Sequence, residues 1–114
     1  MAMLYKICPE PLWREAEAEG SFKGAPVDLA DGFIHFSSAS QVEETAAKHF
    51  AGQSGLLLIA VPEEALGEAL RWEPSRGGAL FPHLYGALPV SAAEWVEPLP
   101  IAEGGRHLFP ELAA

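Results

Sequence analysis

The sequence predicts an α+β domain, a small mixed or antiparallel sheet arrangement with helices packed on it. Three observations carry that prediction. Strand-like and helix-like patterns alternate through the first half of the chain and give way to several strands in the second. The run Leu56-Leu-Leu-Ile-Ala-Val61 is apolar throughout and of strand length, as in a central strand buried on both faces. No glycine-rich phosphate loop follows the first strand, which removes support for a Rossmann or P-loop fold.

Leu4-Tyr5-Lys6-Ile7 reads as the first strand, stopped by Pro9 and Pro11. Pro11 suits the first turn of a helix, and Leu12, Trp13 and Ala16 mark an amphipathic helix to about Glu19, closed by Gly20. Residues 21–30 mix Gly, Pro and Asp and are expected to be an irregular surface connection. Asp31-Gly32 is a turn pair, and Phe33-Ile34-His35-Phe36 a short strand continuing to Ser37. Alternation places Phe33, His35 and Ser37 on one face and Ile34 and Phe36 on the other.

Ser38 and Gln41 fit a capping box ahead of a helix carried by Val42, Thr45, Ala46 and Phe50 and ended by Gly52. Residues 62–66 suggest one helical turn, bringing the count to two to three helices. Leu70-Arg71-Trp72-Glu73 reads as a strand with Leu70 and Trp72 inward, and residues 74–80 as a loop. Phe81-Pro-His-Leu-Tyr-Gly86 and a strand near 93–99 follow. A single domain over 1–114 is expected, its core over about 4–99. In the tail, 100–114, Ile101, Leu108, Phe109 and Leu112 can pack back on the body.

Hydrophobic residues are 49% of the chain, which favours a packed globule over disorder. The net charge of −9, with no cluster of Lys and Arg, argues against binding long nucleic acid or an anionic membrane. No stretch is long and apolar enough to span a bilayer, and a lone Cys8 fits a reducing compartment, so a cytoplasmic monomer or weak dimer is expected.

Two histidine segments hold the candidate chemistry: Phe33-Ile-His35-Phe-Ser37 and Phe81-Pro-His83-Leu-Tyr85. Each places a hydroxyl two residues after an imidazole, among large apolar groups. Histidine serves as acid, base or neutral hydrogen-bond donor near pH 7. The plain alternative is two half-buried histidines satisfied by backbone carbonyls. His35, His83, Asp31 and Glu73 are ligand types for a metal, but none shows metal-site spacing, and no metal is expected. Arg71, Glu73 and Arg76 are either a solvated strand face or an anion clamp using the planar guanidinium fork. Ser38 is better explained as a cap than as a nucleophile, and Cys8 as a small hydrophobe; Trp13 and Trp95 are assigned to the core.

With these motifs, the chain resembles the bacterial family called domain of unknown function 952, over about residues 4–99. The resemblance implies a small version of the ADP-ribosyltransferase fold: two small sheets packed face to face, split by a cleft in which relatives bind NAD. The RNA 2′-phosphotransferases of that fold carry a similar His-Leu-Ser strand, which implies that His35 and Ser37 line the cleft. On the first strand, where active relatives place histidine or arginine after an aromatic residue, this chain has Lys6 after Tyr5.

Three readings follow. In the first, an NAD-cleaving or ADP-ribosyl- or phosphotransferase-like enzyme uses His35, His83 and Glu73 catalytically, with Glu94 a second candidate for the carboxylate. Lys6, Ser37, Arg71, Arg76 and Tyr85 then hold the ligand. In the second, a binding module keeps the cleft for a small nucleotide-like ligand without the transfer chemistry. In the third, the protein is an interaction domain whose histidines are only core.

Overall fold

β5 (Leu56–Pro62) lies at the centre of a four-stranded antiparallel sheet, between β1 (Met3–Pro9) and β9 (Trp95–Leu99). The short β4 (Ser37–Ser38) closes the other edge against β1. The computed structural model describes residues 2–114, except for the side chain of Arg76. β5 is apolar along its length because both faces of this sheet are covered. Leu57, Ile59 and Val61 join one core, and Leu56, Leu58 and Ala60 join another.

The first core is completed by Trp13 and Ala16 of α1 (Glu10–Glu19), by Ile34 of β3 (Ile34–His35) and by Leu84 of β7 (Leu80–Leu84). The second is covered by Val42 and Ala46 of α3 (Val42–His49) and by the returning tail, where Phe109 and Leu112 pack. The tail also accepts the Tyr5 hydroxyl at the Ala113 carbonyl, 2.7 Å away. Ile101 and Leu108, expected to pack with it, stay exposed.

In place of two sheets, the strands form three. β3, β7 and β6 (Leu70–Pro74) make a second antiparallel sheet, and β2 (Ser21–Phe22) pairs with β8 (Leu88–Pro89) as a two-stranded ribbon. The strand expected over 33–37 is split. β3 belongs to the three-stranded sheet and β4 to the four-stranded one, with Phe36 buried at the crossing between them. The chain thus changes layers within four residues, and the space beside the crossing becomes a cavity.

Residues 21–30 are not an irregular connection. They form β2 and most of α2 (Pro26–Asp31), which starts on a proline in its first turn. Asp28 of α2 accepts the Ala25 amide at 2.7 Å, satisfying an otherwise unpaired donor at the helix start. Gly32, at φ +88°, takes the left-handed conformation that turns the chain from α2 into β3.

The capping box at Ser38 is only half formed. Gln41 accepts the Ser38 amide at 3.0 Å, but the Ser38 hydroxyl pairs with Ser40 and α3 starts at Val42. Ser38 is held in β4, so its side chain is not placed to cap. Trp72 is not inward either. It sits on the edge strand β6, more than a third exposed, where its indole N–H donates to Glu63 at 2.9 Å.

Trp95 is half-buried and tilts on Tyr5, while Cys8 is fully buried. Among the described residues no helix is long and apolar enough to cross a membrane.

Candidate functional site

His35 and His83 are paired residues across the β3–β7 ladder, with ring centroids 5.5 Å apart. The antiparallel register brings together two imidazoles separated by 48 positions of sequence (83 − 35) and aims both to one side. Phe33 lies against them, stacked on His83 at 4.1 Å and tilted on His35 at 4.6 Å. The two rings line a cavity of about 410 Å³ that also takes in Lys6 of β1, Ser37 of β4, Asp31 at the end of α2, and Lys48 of α3.

His35 is held by a carboxylate on each ring nitrogen. Asp28 Oδ1 lies 2.6 Å from Nδ1, and Asp31 Oδ2 lies 2.9 Å from Nε2. Asp28 is buried and also accepts the His35 backbone amide at 3.1 Å. The Lys6 ammonium donates to the same carboxylate, 2.9 Å from Oδ2 and 3.0 Å from Oδ1. Alternation along β1 turns Lys6 toward the same core as Leu4 and Cys8, where a cation requires a counter-charge. Burial pushes the Asp28 pKa up, but the hydrogen bond from His35 and the charge and hydrogen bond of Lys6 outweigh it. They hold Asp28 at about 2.

His83 is buried, and its Nδ1 lies 2.8 Å from Glu73 Oε1. The same oxygen accepts the Tyr85 hydroxyl at 2.7 Å. Hydrogen bonds from His83 first, then Tyr85, lower the Glu73 pKa, and the bond to Glu73 raises that of Tyr85. Donation from Nδ1 to Glu73 leaves Nε2 as the ring atom that a ligand can engage. Arg71 stands over the Tyr85 ring, 5.7 Å from its centroid.

The sequence candidates thus separate into two groups. His35, His83, Lys6 and Ser37 line one cavity. Glu73 and Arg71 on β6, and Tyr85 just past the end of β7, are not among its lining residues; nor is Glu94. Glu73 touches His83 rather than the cavity, so it is a positioning residue for that ring. Ser37 is buried and shares a hydrogen bond with Thr45 at 3.1 Å. Lys6 is committed to Asp28. The Arg76 side chain lies outside the described residues.

Asp28 was not legible as a site residue. Two signals pointed to it: a lysine in an otherwise apolar strand, which needs a buried partner, and a six-residue segment bounded by Pro26 and Gly32, the marks of a short helix. Among the described residues no group of three or more His, Cys, Asp or Glu side chains could hold a metal ion.

The chain matches the family model described as "Protein of unknown function (DUF952)" over residues 7–96. No curated protein matches it. It is similar to the crystal structure of protein CC0527 from Caulobacter crescentus, with 51% identity over 93% of each chain and a TM-score of 0.90. A double-mutant crystal form of that protein gives 49% identity over 93% of each chain and the same TM-score. Its solution NMR structure gives 52% identity over 92% of this chain and 90% of that one, with a TM-score of 0.83.

Proposed function

The chain belongs to the DUF952 family of proteins of unknown function, and from that premise we propose that its cavity binds a small nucleotide-like ligand of the NAD or ADP-ribose class. The observation that carries this reading is the meeting of His35 and His83 over a common cavity of about 410 Å³. That volume lies within the roughly 300–1,000 Å³ of small-molecule sites. Phe36, Phe50, Phe81 and the two imidazoles give the cavity aromatic walls for a planar heterocycle, and His83 Nε2 offers a polar contact. Tyr85 and Arg71, exposed just outside, suit a second ring and an anion on a ligand extending past the cavity rim.

Binding without transfer is the reading the geometry favours. An ADP-ribosyl transfer needs a carboxylate beside the ribose carbon where positive charge develops. Glu73, the carboxylate assigned that role, is spent on His83 and Tyr85 and lies off the cavity lining. The two carboxylates that do line it, Asp31 and Glu44, are paired with His35 and Lys48.

Calorimetry with NAD and with ADP-ribose at millimolar concentration, together with chromatography for released nicotinamide, tests both readings. The expected result is a binding heat and a raised Tm with no nicotinamide, both lost in His35→Ala and His83→Ala variants that remain folded. Absence of heat with either compound overturns nucleotide binding. Nicotinamide release that disappears in Glu73→Gln replaces it with the transfer reading.

A further inference from the structure

We infer that the Asp31 carboxylate is an internal stand-in for an oxyanion, and that a phosphoryl group of the ligand displaces it from His35 Nε2. The inference rests on the cavity's being a ligand site and adds where the ligand's negative charge goes.

The two carboxylates on the His35 ring differ in what else they do. Asp28 is 1% exposed and ties together Lys6, the Ala25 amide and the His35 amide as well as Nδ1. Removing it would strip four partners. Asp31 is 48% exposed, and among the described residues its one ion pair is with His35 Nε2. It lines the cavity, so its carboxylate stands between the ring and any ligand.

Structure alone does not require it there. Asp28 already holds the ring at Nδ1, and an acidic side chain in the last turn of a helix gains nothing from the carbonyls that point that way. An exposed ion pair of this kind contributes little, so another oxyanion can exchange with it. The vacated position would be flanked by His35 Nε2, with Lys48 and the edge of His83 lining the same space. Lys48 meets Glu44 only at 3.5 Å, a loose exposed contact that leaves its charge available. A tetrahedral phosphoryl group has more acceptor oxygens than a carboxylate, so it can meet His35 Nε2 and Lys48 together.

The test is a titration with inorganic phosphate at constant ionic strength, followed by the ring resonances of the histidines in 15N-labelled protein. Three proteins are compared: wild type, Asp31→Asn, and Glu43→Gln as a control that removes an exposed carboxylate of α3 outside the cavity lining. The expected result is that phosphate shifts the His35 ring in all three. Asp31→Asn should bind it at least about fivefold more tightly than wild type, and Glu43→Gln less than about twofold more tightly. Asp31 is exposed, so Asp31→Asn keeps its fold, which its Tm verifies.

Equal tightening in both variants would mean a general charge effect and overturns displacement. So does unchanged affinity in Asp31→Asn, or the absence of any phosphate-dependent shift at His35. Calorimetry with ADP-ribose on the same proteins separates the two claims. If ADP-ribose binds wild type and Asp31→Asn alike, this inference falls and nucleotide binding stands; if it binds neither, both fall.

Discussion

Lys6 and Asp28 form a buried ion pair, 2.9 Å apart and 22 positions apart in sequence, that joins the first strand to a six-residue helix. The carboxylate also takes the amides of Ala25 and His35 and the His35 ring, so one side chain ties α2, β1 and β3 together. Asp28→Ala should therefore cost about 3–5 kcal/mol, because it leaves a charged lysine and several donors buried without partners. Lys6→Met should cost less, since Asp28 keeps His35 and both amides and the new side chain is apolar. Urea denaturation of the two variants measures the difference; equal losses would show that the ion pair alone, and not the other bonds of the carboxylate, carries the stability.

The same pair sets the acid limit of the fold. Asp28 is held at about 2, below its ordinary value of 3.8. A carboxylate whose folded pKa is depressed contributes stability that is fully present above the unfolded value and disappears as pH falls through the folded one. The loss belongs between about pH 4 and pH 2 and amounts to roughly 2 kcal/mol. Melting temperatures across that range should fall in the wild type. In a Lys6→Met/Asp28→Asn double variant the fall should be shallower.

How much of this was legible can be argued from single residues. The six-residue apolar run of β5 reads as a strand covered on both faces, and it is one. The two histidine segments could be marked as alike, but nothing local says that β3 and β7 pair in the register that sets His35 against His83. That register is fixed by burial of Ile34 and Leu84 on the opposite face, a long-range event. Asp28 was lost for a related reason. An acidic residue among Gly, Pro and Asp reads as surface, and only the fold delivers Lys6 to it. Phe36 hides the change of sheet because its burial looks the same whether the strand continues or crosses between layers.

Glu73 positions His83 without lining the cavity, and its replacement should separate that role from stability. Glu73→Gln retains an acceptor on a partly exposed side chain, so the stability of the fold should change little. The consequence belongs to the ring. A neutral amide oxygen holds the Nδ1 proton less firmly than the carboxylate, and long-range 15N–1H spectra should show His83 moving away from the Nδ1–H tautomer. An unchanged tautomer would mean that Phe33 stacking, not Glu73, sets the ring.

Cys8 offers an internal gauge of opening. Burial pushes its thiol up to about 11, Lys6 opposing only in part, so at pH 8 roughly one molecule in a thousand carries a thiolate. Because the side chain is also inaccessible, labelling by a disulfide reagent should be negligible until the β1 layer opens. The logarithm of the rate should rise in Asp28→Ala in proportion to its lost stability. Rapid labelling of the wild type would show that the β1–α1 region opens far more easily than its packing implies.

Gly24 carries the last prediction, because its backbone shapes the approach to Asp28. It sits at φ +126°, where side chains are strained, and a Cβ there would lie 2.8 Å from the Asp28 Cβ. That neighbour is no flexible tip, and moving it pulls the carboxylate away from Lys6 and His35. Gly24→Ala should thus cost about 2 kcal/mol from strain and contact, plus whatever the displaced ion pair loses. In a Lys6→Met background only the first part remains, so the two substitutions should be non-additive by about 1 kcal/mol or more. Strict additivity in the cycle would mean that α2 shifts as a body and carries Asp28 with it, leaving the pair intact.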